Sequence, residues 1–163
     1  MSTPTAPPET QLLLQQLDQA FNRRSWHGPN LRGSIRGLGA EQAAWRPRPK
    51  RHCIADIVVH AAYWKYAVRR RLLGEQRGSF AIKGSNWFAL PSPWNEAAWR
   101  AYVSLLESEH RLLRAAVSGL SPRDLPRAPA GSKVSNVTLI QGIAAHDVYH
   151  AGQIQLLKRL QRQ

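Results

Sequence analysis

Two histidines lie four residues apart near the C-terminus, in the stretch AAHDVYHAGQIQLLKRL. Apolar residues recur at spacings of three and four along this stretch, which is the pattern of a helix with one face in a protein core. His146 and His150 fall on that face, so their imidazoles are expected one turn apart. Two imidazoles at this spacing can bind one metal ion. The sequence therefore predicts two ligands of a metal site.

A third ligand is needed, because zinc and similar ions normally take at least three protein ligands. A second long helix is predicted over residues 54–73, and its apolar stripe includes His60. Facing helices of a bundle commonly build metal sites in the core. Burying a histidine without a partner costs on the order of 1–3 kcal/mol, so a chance cluster of three is disfavoured. We therefore predict that the metal ligands are His60, His146 and His150.

Three further side chains are candidates for the surroundings of this site. Gln153 follows His150 by one turn and could hydrogen-bond near the metal or to a substrate. Trp64 follows His60 by one turn and is expected to form a wall of the pocket. His27 lies beside a Gly-Pro break and could shape the pocket mouth, although a surface turn would also explain it.

Candidates for a fourth ligand, a base or a supporting group lie on two other helical faces. Glu109 and His110 occupy neighbouring inward stripes of a predicted third helix. Asp56 precedes His60 by one turn and could support it, but Cys53-Ile-Ala-Asp56 also has the spacing of a capping box. Cys53 at a helix N-terminus is expected to have a somewhat lowered pKa. We nevertheless interpret it as a structural thiol.

The histidine stretch also resembles two other metal motifs. The zincin motif H-E-x-x-H differs because Asp147 stands in place of the catalytic glutamate. The adjacent His146 and Asp147 resemble an HD phosphohydrolase dyad, but that site needs further histidines and aspartates that the sequence does not offer. Asp147 is instead expected to face the flank of the helix or solvent.

Helical spacing of apolar residues predicts four long helices, at residues 9–22, 54–73 and 94–118 and from Ser135 or Asn136 nearly to the end. The stretch AEQAAWRPRPKRH, with its two prolines, predicts an irregular connection. No stretch shows the alternation of a β-strand. We therefore predict an all-α fold, a four-helix bundle over residues 10–163 that follows a disordered leader at residues 1–9.

The composition limits the class of protein. The chain has 163 residues, of which 43% are apolar, and a single cysteine, so no intramolecular disulfide can form. The N-terminus lacks a signal-peptide pattern, and no apolar run reaches the ~20 residues that span a bilayer. We therefore expect a cytoplasmic protein without a membrane partner.

The net charge of +13 favours anionic partners. The most evident clusters of basic residues in the chain are three short ones, namely RPRPKR, Arg69–Arg71 and the terminal KRLQRQ. A basic bundle with a structural metal, either non-catalytic or binding nucleic acid, is therefore an alternative function, but no nucleic-acid-binding motif accompanies the clusters. A solvated outer face, or recognition of an anionic small thiol or phosphate, explains them equally well.

The stretch DIVVHAAYWKYAVRRRLLG, together with AAHDVYHAGQIQLLKRL, resembles the DinB/YfiT-like superfamily of metal-binding four-helix bundles. The stretches SWHGPNL, AEQAAWRP and GSNWF are similar to one branch of that family, so the resemblance covers about residues 10–160. One departure is Cys53, which stands where a serine is expected.

This resemblance implies a homodimer with a divalent metal, zinc or nickel, on His60, His146 and His150. Some members transfer low-molecular-weight thiols such as bacillithiol or mycothiol, and many others are described as metal-dependent hydrolases. The resemblance thus implies a metal-dependent thiol transferase or hydrolase that acts on a small molecule.

Three histidines and one open coordination position suit both reactions. A metal lowers the pKa of bound water to near 7 and so provides a nucleophile for hydrolysis. It can also hold a substrate thiol as the thiolate at neutral pH. The sequence offers no evident general base, which favours the thiol route.

Overall fold

The computed structural model describes residues 6–162. Within this range the chain forms six α-helices and no β-strand, which confirms the predicted all-α class. The helices are α1 (Pro8–Phe21), α2 (Leu31–Ser34), α3 (Ala40–Ala44), α4 (Ile54–Leu73), α5 (Glu96–Ser118) and α6 (Asn136–Leu160). None of the helices in this range combines the length and the apolar character that a bilayer span requires.

Local sequence signals set the ends of the long helices. α4 ends at Gly74, whose φ of 68° is the left-handed conformation that glycine adopts without steric strain. α6 follows Ser135, whose side chain accepts a hydrogen bond from the Thr138 backbone N–H. Asn95 caps α5 in the same way. Both helices that carry the predicted ligands therefore have ends fixed by local chemistry.

The four long helices pack around two clusters of buried apolar side chains. α4 packs against α5 and α6, and α1 packs against the same two helices. Fully buried members of the two clusters are Val58, Leu106, Ile154, Leu17, Leu113 and Ile140. This packing brings α4, which carries one predicted ligand, into direct contact with α6, which carries the other two.

The segment between α1 and α4 is more regular than the sequence predicts. The first five residues of the stretch expected to be irregular form α3. Two amides at its N-terminus have side-chain acceptors, because Gln42 accepts from the Gly39 N–H at 3.1 Å and Glu96 of α5 accepts from the Ala40 N–H at 2.6 Å. α1 begins at Pro8, inside the expected leader, whose residues 1–5 lie outside the described part of the chain.

A buried ion pair joins α4 to α6. Lys65 and Asp147 are both 0% exposed, and the Lys65 ammonium donates to the Asp147 carboxylate. Burial raises the pKa of the Asp147 carboxyl, and the positive charge of Lys65 opposes that rise. The expectation that Asp147 faces the flank or solvent is wrong, because α4 supplies a buried cation opposite it. The pair fixes the two histidine-bearing helices relative to each other.

Candidate metal centre

Three histidines from two helices converge beside an open cavity of about 410 Å³. His60 comes from α4, and His146 and His150 come from α6. One nitrogen of each ring lies within 4.8 Å of the other two. His60 and His150 are buried and His146 is half-buried. The structure therefore brings together the three side chains that helical spacing selects.

The converging atoms are the Nε2 nitrogens. His146 Nε2 lies 3.2 Å from His60 Nε2 and 3.1 Å from His150 Nε2. On the far side of the rings, His60 Nδ1 donates to the Asn86 carbonyl at 2.9 Å, and His150 Nδ1 donates to Gln153 Oε1 at 2.7 Å. These two bonds place the ring protons on Nδ1. The Nε2 atoms of His60 and His150 are then unprotonated, and each directs a lone pair at His146.

This arrangement fits a metal ion better than it fits the histidines alone. A single proton on His146 Nε2 can be donated to only one of its two nitrogen neighbours. In the other contact, two nitrogen lone pairs would face each other. Two nitrogens bound to one tetrahedral zinc ion at about 2.0–2.1 Å would lie about 3.3–3.4 Å apart. That separation is close to the two observed nitrogen–nitrogen distances.

Outer hydrogen bonds orient two of the three rings, as is usual for histidine ligands. Gln153 accepts from His150 and is itself held in place, because its amide nitrogen donates to the Tyr149 hydroxyl at 3.0 Å. His146 differs, since its buried Nδ1 has no hydrogen-bond partner among the described residues. Packing against Trp64, with ring centroids 6.5 Å apart, orients this ring instead.

Burial keeps all three imidazoles neutral at pH 7. It lowers the pKa of His60, although the Asn86 carbonyl opposes the effect. It lowers the pKa of His146 to about 3 and that of His150 to about 4. A neutral imidazole offers the lone pair that a metal needs, so the three rings are prepared as ligands before any ion arrives.

The cavity beside the histidines has a mainly apolar wall. Its apolar and aromatic lining consists of Ile57, Trp87, Tyr149, Leu156 and Leu157. No aspartate or glutamate lines it within the described part of the chain. The wall suits the organic part of a small molecule and offers no carboxylate as a general base.

Trp87 and His52 belong to this site, although their positions in the sequence predict no role for them. The Trp87 indole is sandwiched between two imidazoles, with centroids 3.9 Å from His60 and 3.6 Å from His52, and both pairs are nearly parallel. His52 also lines the cavity. The stretch GSNWF supports the family resemblance, but nothing in its spacing shows that its tryptophan reaches the histidines.

Asn86 connects the loop before α5 to the ligand on α4. Its backbone has a φ of 64°, a conformation that asparagine tolerates better than most residues. Its carbonyl accepts from His60 Nδ1, and its side-chain oxygen accepts from Trp64 Nε1 at 3.0 Å. One loop residue therefore orients both a predicted ligand and a predicted wall residue.

A family model described as the DinB superfamily matches residues 23–154, a range that includes all three histidines. The chain belongs to the DinB superfamily. The predicted family is thereby confirmed. In the corresponding comparisons, no curated protein and no solved structure matches this DinB chain. Family membership and the three-histidine cluster support a metal centre.

Of the other predicted site residues, two lie beside the histidines of this DinB protein. Gln153 lines the cavity and bonds His150. Trp64 does not line this cavity as predicted, but its ring lies edge-on to His60, with centroids 6.3 Å apart. Both side chains contact the predicted ligands, so both are suited to orient them.

Asp56 lies at the start of α4 and caps the helix. Its carboxylate accepts from the Cys53 backbone N–H at 3.0 Å and forms an ion pair with Arg46. Burial raises the pKa of the Cys53 thiol to about 11. The expected lowering of that pKa is wrong, because the thiol is fully buried. A buried thiol with this pKa is unreactive at neutral pH.

The remaining three candidates do not reach the cluster. Glu109 is buried beside Arg69, with an Nε to Oε2 distance of 3.5 Å. His110 stacks on Phe21, with ring centroids 3.8 Å apart. His27 is exposed and lines a different cavity. None of the three is positioned to act as a fourth ligand or as a base in the metal centre.

We expect His110 to make the stability of this DinB protein sensitive to acid. Burial lowers its pKa to about 3, and the charges of Lys65 and Arg114 add to the effect. Asp18 lies 3.8 Å from His110 Nε2, but its carboxylate is already bound by Arg114 at 2.8 Å. The unfolded chain therefore binds a proton between about pH 6.5 and pH 3 that the folded chain does not, so stability falls as the pH falls through this window.

Replacing His110 with glutamine should reduce this pH dependence. Each pH unit below the unfolded pKa costs about 1.4 kcal/mol, so the loss of stability between pH 7 and pH 5 should be smaller in His110→Gln by about 2 kcal/mol. Urea unfolding at both pH values measures it. The matched control is His27→Gln, at an exposed position, which should behave as wild type. An unchanged pH dependence in His110→Gln would contradict the prediction.

Proposed function

We propose that this DinB protein is a metal-dependent enzyme that transfers a low-molecular-weight thiol to an electrophilic small molecule. It would hold one divalent ion, zinc or nickel, on His60, His146 and His150. The observation that carries the proposal is the convergence of three Nε2 atoms, with separations of 3.1 and 3.2 Å, beside an open cavity.

The open side of the cluster argues for a catalytic centre. Structural zinc sites are usually closed by four protein ligands, whereas catalytic sites use three and leave a position for substrate. Among the described residues, only three side chains form this cluster. When bound, a divalent ion supplies a positive charge that lowers the pKa of a thiol at its open position.

The chain's own residues favour thiol transfer over hydrolysis. A thiol already loses its proton near pH 8.5, so it needs less help from a base than water does. The cavity wall has no carboxylate in the part of the chain described, but it does include His52. The Trp87 indole lies between His52 and His60, however, so His52 is not placed to act as a base at the three nitrogens, and the thiol proton would leave to water. The apolar wall would contact the organic part of the electrophile.

The scaffold and the assembly are part of the proposal. The four long helices would form the four-helix bundle of the DinB type, with α4 and α6 supplying the ligands. We propose a homodimer, as the family resemblance implies. Three exposed side chains on α6 support an interface there, namely Tyr149, Leu156 and Leu160, with exposed fractions of 64%, 58% and 37%. Light scattering should give twice the mass of one chain, and a monomer would contradict the dimer.

A direct test compares two reactions on the same metal-loaded protein. One mixture contains a panel of small thiols and an activated aryl halide, and the other contains a nitrophenyl ester without thiol. We expect thioether formation by wild type with at least one thiol, and its loss in His150→Ala. Ester hydrolysis without thioether formation would make the protein a hydrolase. Neither activity, with metal bound, would leave a non-catalytic metal-binding protein.

A further inference from the structure

A second cavity, separate from the metal centre, lies between the C-terminal half of α4 and the loop that follows it. Its volume is about 680 Å³. Arg70 and Arg71 of α4 and Arg77 and Lys83 of the loop line it. We call this cavity the basic cleft. No aspartate or glutamate lines it in the described range, so all the charged residues that line this concave space are positive.

These four charges are not neutralised by neighbouring carboxylates. The nearby acidic residues Glu75 and Glu109 both pair with Arg69, at 2.9 and 3.5 Å. Arg70 donates only to the backbone carbonyl of Glu75. Within residues 6–162, none of the four cleft cations forms an ion pair. The charges therefore repel one another, and a bound anion would relieve that repulsion.

Hydrogen bonds and aromatic packing hold the two walls of the basic cleft together. The Tyr66 hydroxyl, on a buried side chain of α4, accepts from the backbone N–H groups of Gly78 and Ser79 at 3.1 and 3.2 Å. These bonds hold the basic loop against the helix. Tyr63 and Phe80 pack edge to face across the same junction, with ring centroids 5.4 Å apart. The loop cations are thus kept opposite those of the helix before a ligand binds.

We propose that the basic cleft binds a small ligand that carries two linked phosphate groups. Guanidinium groups match phosphate oxygens in geometry as well as charge, and three of the four cations are arginines. A concave site that gathers four cations focuses their field on one small anion. A nucleic acid duplex would instead require cations spread along an extended surface. The proposal does not depend on the metal centre or on its reaction.

The probe is inorganic pyrophosphate, titrated by calorimetry into the 163-residue chain as purified and again after chelation of any metal. We expect one saturable site per chain. The double variant Arg71→Ser/Arg77→Ser should bind at least about 10-fold more weakly, because two charge-assisted contacts are lost. The control Arg100→Ser/Arg123→Ser removes the same charge from exposed positions outside the cleft, and its affinity should stay within about twofold of wild type.

Three results of the titrations would overturn the proposal. They are no saturable binding by wild type, an equal loss of affinity in both double variants, and a loss of affinity in Arg71→Ser/Arg77→Ser that occurs only when metal is present. Displacement of pyrophosphate by a short DNA duplex would also overturn it, since the cleft would then belong to a nucleic-acid surface. If the first double variant fails to fold, Arg77→Ser/Lys83→Ser provides the same test at two exposed loop positions.

Discussion

Replacing His60 with alanine is expected to abolish stoichiometric metal binding. The variant leaves two nitrogens from one helix, which is fewer than the three ligands that a zinc site normally requires. Loss of a residue that merely supports a ligand already costs about 10–100-fold in metal affinity, so loss of a ligand should cost more than about 100-fold. Elemental analysis and competition with a chromophoric chelator measure the stoichiometry and the affinity.

The matched control is His52→Ala. His60 and His52 stack on opposite faces of the Trp87 indole, but His52 does not belong to the three-nitrogen cluster. Its removal should leave one ion per chain. A His60→Ala protein that keeps one tightly bound ion would show that α4 does not contribute to the site.

The same measurement can separate ligands from supporting groups. Gln153→Leu removes the acceptor of the His150 Nδ1 proton and keeps all three ligands. Its metal affinity should fall by about 10–100-fold with the stoichiometry retained. Gln141→Leu changes an exposed glutamine of the same helix and should have no effect.

The second large effect is expected at the ion pair between α4 and α6. Lys65→Met leaves the Asp147 carboxyl buried beside an apolar side chain, with a pKa already raised by burial. Removing one partner of a buried pair typically destabilises a protein by about 3–5 kcal/mol. We expect a loss of that size in the free energy of unfolding, measured by urea denaturation of the metal-free protein at pH 7.

The double variant Lys65→Met/Asp147→Leu tests the cause of that loss. Replacing a whole buried pair by apolar side chains is often neutral or stabilising, so most of the lost stability should return. Lys133→Met, at an exposed position, should change stability by less than about 0.5 kcal/mol. If Lys65→Met is no less stable than this control, the ion pair does not contribute to the folded state as argued.

Local spacing is sufficient to predict the four long helices and the three histidines, but not the short helix α3. A helix places residues three and four apart on one face whatever the rest of the chain does, so the inward direction of His146 and His150 follows from their neighbours alone. The ends of α4 also depend on local groups, in particular on Asp56 and Gly74. The family resemblance rests on the same stretches, and the match over residues 23–154 confirms it.

The rest of the site was decided by tertiary structure. The spacing that placed Gln153 near His150 could not show that Asn86 accepts from His60, because that contact joins a loop to a helix across 26 positions of the chain. The same limit applies to Trp87 and His52, whose loops meet only after folding.

Sequence patterns also do not predict the buried ion pair. Lys65 and Asp147 are separated by 82 positions and are polar residues of kinds that normally face solvent. A helical pattern assigns neither of them a partner, and only a partner makes a buried charge tolerable. The sequence determined that His60 on α4 and His146 and His150 on α6 point inward. The packing of one helix on the other determined which charges and which nitrogens meet there, because those contacts depend on distances between segments that no local spacing encodes.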